Sequence, residues 1–419
     1  CACTTTLESS YESFGPHLLK HFFIESHYTN MNHGSYGLVP RNVLRNVTNW
    51  QIKVEHNPDQ WFRYDVWDQL DDTRKCVAKY VGAYTKDIVM VINASHGVNA
   101  VLRSLLEVPN FRSKSILYLS TAYDMVKKTI KYTLDHFGID SIQVNITFPT
   151  NENAIVLKVK EILQQQSTTA KSIGMCSFSH ITSTPAIILP IRKLATLCVQ
   201  HGAYVLIDGA HAPGQIPLHI NSYSKYIHFY VGNFHKWMYS PKGTAFLWVH
   251  ESVQNLVAPA VISGGRGISS FQKAFSYQGT DDNSPYMAVR AALQWRQLIS
   301  HGNDKSIMNY MHHLAIEGGE LLAQQWNTYL LTNSSTMIGA MVNVVMPSNI
   351  VSSDADAKRV TKQLYDGIDG FRTWLPIFSV PTSSPSSPLY VIRVSAQIYL
   401  DLSDFSRLAK AVLACQSKS

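Results

Sequence analysis

Between residues 60 and 250 short apolar, β-branched runs alternate with stretches of helical periodicity. That alternation predicts a mostly parallel sheet whose strands are joined by crossover helices. Expected strands cover residues 88–92, 115–119, 142–146, 173–178, 203–207 and 226–231, with a further strand-like run at 244–249. Helical stretches between them include 154–165 and 192–200, the latter stopped by Gly202. The Gly-rich stretch at 263–267 breaks the rhythm. Helical patterns then dominate, at 285–300, 304–326, 354–367 and 403–415, around strand-like runs at 337–346 and 389–395. The expected fold is therefore α/β: an N-terminal segment (1–30), a large domain (31–284) and a smaller α+β domain (285–419). The Pro/Ser patch at 381–388 reads as a mobile loop, and no internal repeat is present.

Composition narrows the function classes. A chain of 419 residues buries a large core. The net charge of +7 is modest, and no Lys/Arg cluster interleaved with aromatics points to nucleic acid. No apolar run reaches membrane-spanning length. The six cysteines are too scattered for a disulfide framework. Cys1 and Cys3 look like half of a metal pair, but no second pair stands at zinc spacing, so no metal site is expected and a disordered terminus is favoured. The opening residues lack an initiator Met and both the basic and the apolar part of a secretion signal. A truncated or processed chain in the cytoplasm is the expectation, with an upstream targeting peptide left open.

Chemistry gathers where strands are expected to end, the edge at which open parallel sheets bind ligands. Lys236 follows one such end, between His235 and Trp237, and Asp208 closes the apolar run before Gly209. A lysine desolvated among aromatics is a candidate Schiff-base amine. A carboxylate at a strand tip suits a pyridinium nitrogen, so the pair reads as two anchors for pyridoxal 5′-phosphate (PLP). Residues 93–97 (Asn-Ala-Ser-His-Gly) open a helix and form either a phosphate seat with Ser95 and His96 or an ordinary N-cap. Tyr123 either stacks on a cofactor ring or packs at a rim. Ser179, His180, Thr182 and Ser183 contact a ring or substrate, or satisfy their own loop. His211 is placed to point at the same ring, and Asn233 and His235 suit phosphate contacts. The loop 277–282, with Thr280, either completes a phosphate pocket from a partner subunit or is a simple turn. Arg393, inside an apolar strand, needs an anion: a substrate carboxylate or a structural salt bridge.

These motifs resemble the class V aminotransferase superfamily of fold type I PLP enzymes over nearly the whole chain. The shared elements are N-H-G-S-Y-G at 32–37, N-P-D-Q-W-F-R at 57–63, N-A-S-H-G, D-G-A-H-A, G-N-x-H-K-W, the Q-G-T-D loop, and R-V-S before Tyr399. The first two are similar to the isopenicillin N epimerase-like branch, which includes C–S lyases of the hercynylcysteine sulfoxide lyase and cysteine desulfhydrase type. The resemblance implies that Lys236 forms the Schiff base, Asp208 holds the pyridinium and Tyr123 stacks on the ring. His211 then faces the phenolic oxygen, and Ser95, His96, Asn233 and His235 contact phosphate. It further implies a homodimer with shared sites, Thr280 reaching across, and Arg393 gripping the substrate carboxylate.

His33, Tyr36 and Arg63 lie in the branch motifs and either shape the substrate side or pack helices and turns. Two departures stand out. Residues 372–392 hold no cysteine, where desulfurases of the family carry a nucleophilic one. Leu400 takes the place of the family's Asn after the tyrosine. The expected activity is thus β-elimination from a cysteine derivative or cysteine sulfoxide, giving pyruvate, ammonia and a sulfur product. Amino-acid epimerisation or transamination is the alternative.

Overall fold

The computed structural model describes residues 13–166, 171–264, 269–383 and 388–415. Cys1 and Cys3, most of the Gly-rich stretch and the middle of the Pro/Ser patch lie outside the described residues. The large sheet comprises β1 (Ile88–Val91), β2 (Ser115–Leu119), β3 (Asp140–Val144), β4 (Ile173–Ser179), β5 (Tyr204–Asp208), β6 (Phe229–Asn233) and β7 (Ala245–Val249). Their order is β1-β7-β6-β5-β4-β2-β3. A second sheet, ordered β8-β10-β9, pairs β8 (Met341–Val345), β9 (Ile377–Val380) and β10 (Leu389–Ser395) antiparallel.

The apolar runs form strands because both faces of the large sheet are covered. Val205 and Ile207 face one core cluster, with Leu117, Phe178, Tyr230 and Trp248. Leu206, between them, faces the other, with Ile116, Met175, Phe229 and Leu247. Two buried faces turn period-2 geometry into a continuous hydrophobic run.

Five neighbouring strands, β6-β5-β4-β2-β3, are parallel, while β7 runs antiparallel to both β6 and β1. This reversal follows from the link 234–244, which is too short for a crossover helix. It also has a consequence for the site, because the link itself lies on the carboxyl edge of the sheet. The carboxyl ends of β1, β2, β4, β5 and β6 converge there.

The later helices pack on other helices and on the second sheet. Ser284–Ile299 packs on Arg41–His56 and Val66–Val81, and Asp304–Trp326 packs on Leu402–Ala414 and β8. The chain's opening is bound to its end: the N–H of Gly15 donates to the carbonyl of Ile398 at 2.8 Å, and that of Ser395 to Met31 at 2.8 Å.

Helix Asp304–Trp326 approaches its neighbour so closely that a Cβ on Gly318 would lie 2.4 Å from the Phe405 ring. Gly318→Ala is expected to destabilise the fold by about 1–3 kcal/mol in urea unfolding, since a buried ring must move. An unchanged midpoint would contradict that packing.

Candidate active site

Lys236 sits in a four-residue helix, Phe234–Trp237, directly after β6. Its ammonium is buried, which lowers the lysine's pKa to about 7; Asp208 opposes that shift and Arg393 adds to it. The amine lies 2.9 Å from Nε2 of His211 and about 6.0 Å from the ring centre of Tyr123. The last residue of β5, Asp208, is also buried, and burial raises its carboxyl above the usual range. One carboxylate oxygen accepts the Ala210 N–H at 3.0 Å. Among the described residues neither Asp208 nor Lys236 forms an ion pair.

Both residues line a cavity of about 330 Å³, with Ser35, Tyr36, Ser95, Tyr123, Ser179, Ser183, His211, Asn233, His235 and Lys242. Of the four residues expected beyond β4, only Ser179 and Ser183 reach it. His180 turns into the core and bonds the Tyr230 hydroxyl at 2.8 Å, and Thr182 closes its own loop onto Ile187. Asn233 is both in the cavity wall and a strut, its side-chain oxygen accepting the Ala94 N–H at 2.8 Å. His235 donates from Nδ1 to the carbonyl of Thr244 at 3.2 Å, and burial lowers its pKa to about 4.

The helix Ala94–Leu105 points its N-terminus at this edge. Asn93 caps it, its side chain accepting the His96 N–H at 3.0 Å. The His96 side chain is exposed and does not line the cavity, so Ser95 is the contributor from that pair.

Arg393, on β10, is 2 % exposed. Its Nη1 donates to the carbonyl of Ser183 at 2.9 Å and its Nη2 to Asn32 and Ser35, both at 2.7 Å. Its Nε has no partner among the described residues, and every acceptor it meets is neutral. Among the described residues the structural salt bridge is therefore not formed, and none of them gives the charge a counter-ion.

Three further expected residues lie elsewhere. His33 is buried behind the lysine turn, bonded through Nδ1 to the Tyr399 hydroxyl at 2.9 Å, and does not line the cavity. Arg63 is on the surface and pairs with Asp59 at 2.9 Å, held in register one helical turn apart. Thr280 bonds Tyr277 at 3.1 Å and does not line its own chain's cavity. Sequence reading missed Asn32 and Ser35 as the holders of Arg393. It also missed Lys242, which lines the cavity and donates to the carbonyl of Gly37 at 2.8 Å. Their signal was the N-H-G-S-Y-G motif itself, whose partners lie more than 200 residues away in the chain.

Residues 38–407 match the Aminotransferase class-V family. The chain belongs to that family, whose fold type I enzymes use PLP. An L-cysteine desulfhydrase-like protein of Epichloe uncinata is 26% identical, covering 97% of this chain and 95% of its own. The hercynylcysteine sulfoxide lyase of Schizosaccharomyces pombe is 26% identical over 95% of this chain and 97% of its own. In structure, the chain is similar to an apo cysteine desulfurase from Thermococcus onnurineus NA1 with a TM-score of 0.75 and 14% identity, over 95% of this chain and 97% of that one.

The residues present fit PLP. The cavity offers an amine whose pKa burial lowers to about 7, a buried carboxylate with no cation bonded to it among the described residues, and, for a phosphate, the Ser95 hydroxyl at a helix N-terminus with Lys242 in the same lining.

Two outcomes are expected. PLP capture by the apoprotein should speed up about tenfold per pH unit until about pH 7 and level off above, because only the free amine attacks. A rate still rising at pH 9 would mean an ordinary, solvated lysine. Asp208→Asn should weaken PLP binding about tenfold or more in fluorescence titration, a loss of at least ~1.4 kcal/mol.

Proposed function

We propose that the chain is a PLP-dependent carbon–sulfur lyase acting by β-elimination on a cysteine derivative or cysteine sulfoxide. Pyruvate, ammonia and a sulfur product are its products. The observation that carries this reading is the buried Arg393 guanidinium, unpaired among the described residues and bonded to two residues of the cavity that holds Lys236. Arg393 does not itself line that cavity; this reading makes it the carboxylate receptor behind the Ser35 and Ser183 wall.

In this reading the substrate α-carboxylate displaces the Ser35 and Ser183 hydroxyls from Nη2 and Nη1 of Arg393 and pairs with its guanidinium. Asn32 and the Ser183 carbonyl keep that guanidinium aimed. PLP, when bound, supplies the electron sink for the bonds broken at Cα and Cβ. Lys236 accepts the Cα proton, a role suited to an amine whose pKa burial has brought to about 7. Tyr123, half-exposed at the cavity rim, gives its phenolic proton to the departing sulfur.

The chemistry of elimination is favoured over persulfide formation, because none of the described cysteines lines the cavity and residues 372–392 contain none. The relatives named as a desulfhydrase-like protein and a sulfoxide lyase support the same choice. A homodimer belongs to the proposal: Thr280 of a second copy would complete the phosphate wall that this chain's own Thr280 does not reach. No helix among the described residues is long and apolar enough to cross a membrane, and a cytoplasmic location is kept as part of the proposal.

Incubating PLP-loaded protein with cysteine and with S-substituted cysteine sulfoxides should release pyruvate and ammonia in equal amounts, and Lys236→Ala should release neither. Product of D-configuration, or turnover that requires an added keto acid, would instead establish an epimerase or an aminotransferase. Arg393→Lys should lower kcat/KM about 10- to 100-fold, chiefly through KM, as the bidentate grip is lost.

A further inference from the structure

The G-N-x-H-K-W motif carries a tryptophan for which the chemistry above has no use. Trp237 is fully buried at the end of the lysine helix. Its indole Nε1–H donates to Nδ1 of His211 at 3.4 Å, while Nε2 of the same imidazole faces the Lys236 amine at 2.9 Å. An indole nitrogen only donates, so Nδ1 must accept. A neutral imidazole then carries its single proton on Nε2, and that proton points at Lys236.

The surroundings hold the indole in this pose from several sides. The His33 ring lies 5.5 Å away, centre to centre. A Cβ on Gly34 would come within 2.9 Å of the indole Cζ2, so the glycine of the N-H-G-S motif makes room for the ring. The Trp237 carbonyl accepts from Nη1 of Arg296 at 2.8 Å, and Arg296 is fixed by Asp304 at 2.7 Å. A Cβ on Gly214 would lie 2.6 Å from that carbonyl oxygen. A residue clamped this firmly sets the geometry of what it bonds.

We propose that Trp237 is a positioning residue of the site: by donating to Nδ1 it holds His211 as the Nε2–H tautomer, so that an N–H rather than a lone pair faces Lys236 and the cofactor cavity. The consequence for Lys236 is direct. An amine receiving a hydrogen bond must offer a lone pair, and only the unprotonated form has one. For an oxygen of the cofactor placed beside His211, the same N–H is a donor that stabilises negative charge. Charged and titratable groups around His211 are Lys236, Arg393 and His235, and Lys236 also faces Asp208. The inference about PLP rests on the reading of Lys236 given above; the tautomer itself does not.

The test begins with wild-type protein labelled with ¹⁵N-histidine and free of cofactor. Long-range ¹H–¹⁵N correlation at pH 8 is expected to show His211 protonated on Nε2 with Nδ1 as an acceptor. An Nδ1–H tautomer or an imidazolium would overturn the proposal, whether or not any variant folds. Trp237→Phe keeps an aromatic ring and removes the N–H. In it the His211 preference should be lost, and the midpoint of the pH titration of the PLP-bound visible band should move by about half a unit or more. Circular dichroism and PLP stoichiometry should stay as in wild type. An unmoved tautomer and an unmoved midpoint in Trp237→Phe would reduce Trp237 to packing. If PLP instead fails to bind at Lys236 while His211 is Nε2–H, the tautomer lock is supported and the cofactor reading fails.

Discussion

Taking an ammonium or a guanidinium out of water costs several kcal/mol unless a counter-charge, a bound anion or the loss of a proton offsets it. Around one cavity at the carboxyl edge of the sheet, Lys236 and Arg393 resolve that constraint in different ways. The lysine gives up its proton near neutral pH, as its depressed pKa records. The arginine stays charged even with its pKa brought down to about 10, held by four neutral acceptor contacts. Asp208 shows the opposite sign of the same effect, its carboxyl raised by burial. A site made of a free amine, an acid short of a cation and a cation short of an acid is complementary to a ligand with a pyridinium, an aldehyde and a carboxylated substrate.

The fold produces this arrangement through where chain segments end rather than through any one strand. Parallel strands deliver Ser179, Asp208 and Asn233 to the same edge as their last residues. The reversed strand β7 then keeps the lysine turn on that edge, because a tight return replaces a crossover. Close approach around the turn is enforced by glycines: at Gly37, with φ of 71°, a Cβ would lie only 2.0 Å from the carbonyl oxygen of His235. The N-terminal N-H-G-S-Y-G motif thus serves the site twice, seating the lysine turn and, through Asn32, aiming Arg393.

Much of this was legible in the chain, for definable reasons. Asp208 stands immediately after one apolar run and Lys236 a short turn beyond another, and a strand that is buried on both faces announces itself without any alternation. The orientation of β7 was not legible from hydrophobicity, since a buried antiparallel strand and a buried parallel one look alike; only the short link to β6 distinguishes them. The edge strand β9, four residues with half-buried positions, lacks a strong pattern altogether. His33 and Arg63 show the limit at the level of residues. Each lies in a motif that matters, yet one is packed behind the lysine and the other is a surface partner of Asp59. Motif membership marks a region; which side chain faces the cavity depends on partners hundreds of positions away.

The central claim is that burial singles out one amine for the cofactor. Lys242 lines the same cavity and its amine is also lowered by burial, so it is the natural competitor. Reduction of PLP-loaded protein with borohydride, followed by proteolysis and mass spectrometry, reads the choice directly. The account predicts one pyridoxyl group on the peptide containing Lys236, at its own side chain. A pyridoxyl group on Lys242, or spread over surface lysines with Lys236 unmodified, would contradict it.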